Sequence, residues 1–211
     1  MHNLTLDEVE RLSRRMLITA GATELQAEPT ARSIRDAEAD GIRAVGLNYL
    51  PTYCDHVACG KVDGEAVPEV MTPRAAVIEV DARNGFCHPA YEAAAEPLRA
   101  AAVECGIAML TIRHSYSAGV LGWFVESLAV HGLVALMVSN TSPSVAAHGG
   151  RLPFFGTNPL AWATPRAGGS PVVADMSSSA AAYVSIMAAA SKGRAIPEGW
   201  ALDTDGNPTT D

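Results

Sequence analysis

The stretch Ile107-Ala-Met-Leu-Thr-Ile112, then Val120-Leu-Gly-Trp-Phe-Val-Glu-Ser-Leu-Ala-Val-His131, then Leu133-Val-Ala-Leu-Met-Val138 decides the class of fold. Two strand-sized apolar runs flank a stretch of helical composition. Uninterrupted apolar strands that alternate with helices belong to a sheet covered on both faces. Upstream the same grammar holds, with a strand over Ala76–Val80, a turn at Asn84-Gly85 and an Ala-rich helix from Pro89 to Cys105. Downstream, Pro171–Ala174 is a short strand that feeds Asp175, Ser177–Ser179 and an Ala-rich helix to Lys192, closed by Gly193. An α/β domain over residues 75–211 is the expectation.

The N-terminal residues read differently. Thr5 and Glu8 have capping-box spacing, and Leu6, Val9, Leu12, Met16 and Leu17 form one helical stripe that Gly21 stops. Thr23 and Gln26 repeat the capping pattern before a second helix to about Asp40, which Pro29 delays or kinks. Gly60–Pro73 reads as loop, so residues 1–74 form a separate helical piece. The tail Ile196–Asp211 is rich in Gly, Pro, Asp and Thr and ends without a closing element, as a fragment or one of two chains would.

Composition narrows the function. A chain of 211 residues, 48% hydrophobic and 18% charged, buries a sizeable core. Its net charge of -8, without a basic stripe, argues against nucleic-acid binding. The acidic, polar start is unlike a secretory signal, and no apolar run approaches the roughly 20 residues that cross a bilayer. A cytoplasmic protein is expected. Cys54, Cys59, Cys87 and Cys105 form no C-x-x-C pair and read as buried small hydrophobes, with no metal site.

Three segments could hold a nucleotide. Asp175-Met-Ser-Ser-Ser179 lies between strand and helix, where free N–H groups bind anions or the serines simply cap the helix. Val145-Ala-Ala-His-Gly-Gly150 and Phe155-Gly-Thr-Asn-Pro159 are compact turns that admit a close backbone approach, or nothing more than a tight turn. Neither a G-x-G-x-x-G after a strand nor a P-loop is present.

The order of the segments says more than any one alone: Ser115-Tyr-Ser-Ala-Gly119, Asn140-Thr-Ser-Pro143, His148-Gly-Gly150, Gly156-Thr-Asn-Pro-Leu160, Asp175-Met-Ser-Ser-Ser179, Ile196-Pro-Glu-Gly-Trp-Ala-Leu-Asp203. Nearly the whole chain resembles the malate/L-lactate dehydrogenase family of the non-Rossmann type, which includes ureidoglycolate, sulfolactate and diketogulonate dehydrogenases and piperideine-2-carboxylate reductases. The resemblance implies a mixed sheet covered by helices, a homodimer, a small-molecule substrate, and NADH or NADPH as cofactor. It places cofactor contacts on Thr141, Thr157, Asn158, Asp175, Met176, Ser177 and Ser178. It also implies a further C-terminal segment, commonly opened by a proline after the matching Thr209-Thr-Asp211. The lability of an Asp–Pro bond there raises the expectation of a companion chain.

Against the family pattern, this chain departs where chemistry is done. The family's S-H-G with its following arginine reads Ala44-Val45-Gly46-Leu-Asn-Tyr49, while Tyr53 keeps the downstream aromatic. The second family histidine is replaced by Ser117, the Gly-Lys pair of the last helix reads Val184-Ser185, and Cys87 stands where G-F-G is expected. Reduction of a ketoacid needs a proton-moving group near pKa 7 and a cation for the carboxylate, and Val45 serves as neither. Replacement candidates are Tyr49, Tyr53 and Ser117, each also explicable as a core, rim or space-filling residue. His114 and His148 flank the expected cleft and read as structural, and an adjacent Cys87–His88 pair rarely faces itself. Three functions compete: a redox enzyme on a cyclic imine or other biosynthetic intermediate, since an imine already protonated needs less acid catalysis than a ketone; a non-redox cyclase or isomerase on the same scaffold; and a catalytically inactive partner subunit.

Overall fold

The structure, a computed structural model, describes residues 3–211. By internal contacts the chain forms two compact units, one ending at Trp123 and one spanning Phe124–Asp211. The boundary expected near residue 74 thus lies inside the first unit.

The first unit opens with α1 (Leu6–Thr19), whose capping box forms: the Thr5 hydroxyl accepts the Glu8 N–H at 3.3 Å, and the Glu8 carboxylate accepts the Thr5 N–H at 2.8 Å. Val9 and Leu17 of α1 are buried in a core with Ile34, Leu50, Tyr53, Val62 and Phe86. The second expected capping box does not form. Thr23 begins α2 (Glu24–Ala39) without a side-chain cap, because its hydroxyl donates to Gly64 O. Gln26 is turned inward instead, donating to Ala66 O at 2.7 Å and accepting the Phe86 N–H at 2.8 Å. The helix does not start late: it begins at Glu24 and runs on through Pro29, which is buried within it. Then follows α3 (Leu50–Ala58).

The stretch read as loop contains a strand, β1 (Glu69–Arg74), antiparallel to β2 (Val77–Asp81). Its register shifts between Met71 and Arg74, and Pro73 sits at that irregularity, where the missing N–H is tolerated. Helix α4 (Cys87–Cys105) crosses over to β3 (Met109–Arg113), which pairs in parallel with β2. The result is a mixed three-stranded sheet in the order β1-β2-β3. Gly106, with φ 78°, supplies the left-handed residue that ends α4. The division between units falls within α5 (Leu121–Ala129).

The second unit contains β4 (Ala135–Val138), β5 (Val145–Ala146), β6 (Pro153–Phe155), β7 (Leu160–Thr164) and β8 (Val172–Met176), then α6 (Tyr183–Ala190), β9 (Ala201–Leu202) and β10 (Pro208–Thr209). The apolar runs Ile107–Ile112 and Leu133–Val138 go to different sheets. β3 joins β2, whereas β4 pairs antiparallel with β7 in a sheet ordered β4-β7-β8. One face of that sheet is small and buried, with Ala135, Ala161 and Ala163. The other is apolar and uncovered: Leu136 opposes Trp162, and Val138 opposes Leu160, which opposes Met176. Leu136 is 69% exposed and Val138 67%. Among the described residues that face stays largely exposed.

The tail forms a short hairpin of β9 and β10. The Asp203 carboxylate accepts the N–H groups of Asp205 and Asn207 at 2.9 and 2.8 Å, which bends the chain between β9 and β10 and holds that carboxyl below its ordinary pKa. Among the described residues no helix is long and apolar enough to cross a membrane.

Candidate functional site

In the second unit, three segments far apart in sequence converge. The Thr141 N–H donates to Asn158 Oδ1 at 3.1 Å, and the Thr141 and Thr157 hydroxyls meet at 3.2 Å. The Thr157 carbonyl accepts from the Ser177 hydroxyl, the Ser178 hydroxyl and the Ser178 N–H, each at 3.0 Å. Gly156 permits this closeness. A Cβ there would lie 2.3 Å from the Thr141 carbonyl oxygen and 2.6 Å from Asn158 Oδ1. Asn158 itself has φ 32°, a left-handed conformation that asparagine tolerates better than most residues. Asp175 and Met176 end β8 at the edge of the cluster.

The serines do not cap a helix. α6 starts only at Tyr183, its N-cap is Ala182 without a side-chain bond, and the serine hydroxyls are occupied by Thr157 and by each other. Both sequence readings of Asp175–Ser179 relied on an adjacent helix N-terminus, and the helix begins a turn later. The cluster is instead a cradle of hydroxyls and amides around a glycine.

In the first unit, an aromatic cluster gathers Tyr49, Tyr53, Phe86, Tyr116 and His56. Tyr49 caps α3 and packs edge-on against Tyr53 at 4.9 Å between centroids. Tyr53 in turn meets Phe86 at 5.6 Å and Tyr116 at 5.9 Å. Tyr53 is only 2% exposed. Burial pushes that phenol well above its ordinary pKa. Tyr116 is held by its own N–H on Gly85 O at 2.8 Å, and its hydroxyl lies 2.5 Å from His56 Nδ1. Sequence reasoning missed Tyr116 and His56. His56 stands three residues after Tyr53, on the same face of a helix, and that spacing is the signal that would have found it.

A family model described as malate/L-lactate dehydrogenase matches residues 4–211. The chain belongs to that family. It is 43% identical over 208 residues to the (2R)-3-sulfolactate dehydrogenase (NADP+) of Chromohalobacter salexigens, over 99% of this chain and 62% of the relative. It is 42% identical over 204 residues to a Δ1-pyrroline-2-carboxylate/Δ1-piperideine-2-carboxylate reductase of Pseudomonas putida, over 97% of this chain and 60% of the relative. The crystal structure of the Δ1-piperideine-2-carboxylate reductase from Pseudomonas syringae pv. tomato superposes with a TM-score of 0.96 at 40% identity, covering 100% of this chain and 63% of that one. This chain thus spans about three-fifths of the length of these relatives.

In this member of the malate/L-lactate dehydrogenase family the turn Ala44–Tyr49 is held by Glu38. Its carboxylate accepts the Leu47 N–H at 2.8 Å, and a Cβ on Gly46 would lie 2.3 Å from Glu38 Oε1. The remaining candidates separate. His114, with φ 50°, bonds the Asp81 carboxylate at 3.1 Å on the surface, and His148 lies in the exposed turn between β5 and β6. Cys87 is buried, and its thiol is pushed up to about 11 by desolvation, which is the opposite of a reactive thiolate. Its neighbour His88 is turned to Trp123 and the Ala118 backbone. Of the four cysteines only Cys87 is buried; Cys54 is half-buried, and Cys59 and Cys105 are exposed.

Proposed function

We propose that this chain is the larger part of a cytoplasmic, homodimeric NAD(P)-dependent oxidoreductase acting on a cyclic imine or related intermediate, not on a simple 2-hydroxy acid. The observation that carries the reading is the cradle around Gly156. Thr141, Thr157, Asn158, Ser177 and Ser178 offer hydroxyls and amides, with backbone laid bare at a glycine, and that donor set suits the ribose and phosphate groups of a dinucleotide. Thr141, Thr157 and Asn158 would hold the nucleotide, with Asp175, Met176, Ser177 and Ser178 lining its edge. A bound nicotinamide supplies or accepts hydride.

The chain's own residues then move the proton. With Val45 in the turn and no arginine at Tyr49, this cluster carries neither the acid nor the carboxylate clamp that a ketoacid demands. Tyr49, assisted by Ser117 and by the buried Tyr53 that orients it, remains as a weak donor. A protonated imine needs little more, and two of the relatives above carry names of cyclic-imine reductases. The helical residues 1–74 serve substrate binding and dimer contact, and residues 75–211 the nucleotide. The uncovered apolar face of β4-β7-β8 supports burial against further polypeptide, whether a second copy or a C-terminal companion.

A thermal-shift titration with NADH and NADPH tests the cofactor. Ligand at about 100 times its Kd adds roughly 2.7 kcal/mol, a rise of several degrees in the midpoint. Loss of nicotinamide absorbance with a cyclic imine carboxylate then tests the reaction. Turnover without that loss moves the assignment to a cyclase or isomerase. No shift and no turnover moves it to an inactive partner subunit.

A further inference from the structure

We infer that Glu38 is a positioning residue for Tyr49: its carboxylate fixes the turn that presents that ring. This rests on the oxidoreductase reading above, in which Tyr49 is the donor. Three observations carry it. The first is contact. Glu38, half-buried in the last turn of α2, accepts the Leu47 N–H at 2.8 Å, a charge-assisted bond to a residue nine positions on. The second is fit. Gly46 is buried, and a Cβ there would lie within 3.1 Å of three Glu38 atoms, Oε1, Cδ and Cγ, so the side chain lies flat on the turn. The third is how little else holds the turn. Residues 41–49 lie between α2 and α3 in neither helix nor strand. Their own bonds are long, with Val45 N–H to Ile42 O at 3.2 Å and Gly46 N–H to Arg43 O at 3.3 Å. Among the described residues Glu38 supplies the one side-chain hydrogen bond to the backbone of this segment.

From Gly46 and Leu47 the constraint passes directly to Tyr49. The Tyr49 N–H donates to Gly46 O at 3.0 Å, and the Tyr49 carbonyl accepts the Tyr53 N–H at 3.1 Å as α3 begins. The Tyr49 ring then packs edge-on against Tyr53, which is sealed in the core. Tyr49 is thus held by the core on one side and by the turn on the other. Misplacing a reacting group by about 1 Å can cost roughly 100-fold in rate, so a residue that sets the turn acts on the chemistry without touching substrate. Glu38 exchanges no proton in this role.

Amide hydrogen exchange, fluorine NMR and kinetics test it together. In Glu38→Ala the Leu47 N–H should exchange at least roughly tenfold faster, whereas Glu38→Gln, which keeps a carbonyl acceptor, should hold it. With 3-fluorotyrosine in place of the five tyrosines, the Tyr49 line is the one lost in Tyr49→Phe. That line should move in Glu38→Ala and stay in Glu38→Gln. With Δ1-piperideine-2-carboxylate and NADPH or NADH, Glu38→Ala should lower kcat roughly 10–100-fold at nearly unchanged KM, and Glu38→Gln should recover most of that loss. In a Tyr49→Phe background Glu38→Ala should add nothing further. Gly46→Ala should reproduce Glu38→Ala in exchange and line position, because its Cβ displaces the same carboxylate. It carries the test where Glu38→Ala does not fold. An unmoved Tyr49 line, or Leu47 exchange at the parent rate, overturns the inference with or without turnover. A loss of kcat in Glu38→Ala that is as large after Tyr49→Phe as before also overturns it, since the effect then lies elsewhere. A moved line without nicotinamide-linked turnover in the parent overturns the oxidoreductase reading and leaves Glu38 as the residue that places Tyr49.

Discussion

The Gln26 side-chain carbonyl accepts the backbone N–H of Phe86 at 2.8 Å, although the two residues are sixty positions apart. The same amide donates to Ala66 O at 2.7 Å, so one buried side chain ties α2 to the start of α4 and to the segment before β1. Gly85 lies against it; a Cβ there would fall 2.8 Å from both Ala66 Cβ and Gln26 Oε1. Phe86 follows directly and builds the floor of the aromatic cluster. The position of Tyr116, on Gly85 O and against Phe86, is therefore set partly by Gln26.

Gln26→Leu should destabilise the chain by about 2–4 kcal/mol, because it leaves the Phe86 N–H and the Ala66 carbonyl buried without a partner. Urea melts at neutral pH check this. A loss below about 0.5 kcal/mol would show that the clamp is not needed.

Acid should weaken the fold through His88. Its folded pKa is lowered from 6.5 to about 4, first by burial, against the opposing hydrogen bond with Ala118. The unfolded chain takes up a proton below 6.5 that the folded chain refuses until about 4. Stability from this group is therefore complete above pH 6.5 and falls by about 3 kcal/mol as pH drops to 4. His88→Gln should flatten that slope between pH 6.5 and 4; identical slopes in the two proteins would show that His88 is not the cause. Asp81 and Asp203, whose carboxyls are held low by backbone N–H groups, act only at more acid pH.

Gly156→Ala should break the cradle without unfolding the first unit. The new Cβ meets the Thr141 carbonyl, which is backbone and cannot swing aside. Nucleotide affinity should fall more than about tenfold, equivalent to about 1.4 kcal/mol or more, by isothermal titration. Unchanged affinity would place the nucleotide elsewhere.

Two tyrosine substitutions should separate. Tyr53→Phe removes a buried hydroxyl, and should cost about 1 kcal/mol in stability with a modest effect on kcat. Tyr49→Phe removes a half-buried hydroxyl and should leave the thermal midpoint alone while lowering kcat. The opposite pattern would make Tyr53 the donor.

Leu136→Glu puts a charge on the uncovered face of β4-β7-β8, opposite Trp162. Sedimentation velocity should show a shift to smaller species. An unchanged distribution would move the contact surface to another face.

Local sequence determined the elements whose information is local. The capping box at Thr5 and Glu8, the apolar stripe of α1, the span of α4 and the continuous apolar runs of β3 and β4 each rest on neighbours within a turn or a strand, and they stand within two or three residues of their expected limits. Spacing along the chain also carried the family, because Gly156-Thr-Asn-Pro-Leu160 and Ile196-Pro-Glu-Gly-Trp200 are contiguous. What tertiary structure alone decided is every pairing between distant residues. β1 was illegible because Met71-Thr-Pro-Arg74 has no alternation, and only the free edge of β2 makes it a strand. β3 and β4 look alike in composition, yet partner choice sends one to β2 and the other to β7, a selection made by the rest of the sheet. Gln26 has the spacing of a helix cap, and burial against Phe86 gave it a different task. His56 and Tyr116, sixty residues apart, meet because α3 and the loop after β3 pack on the same core. A hydrogen bond between such residues has no trace in local sequence, since its energy is realised only after the chain between them has folded.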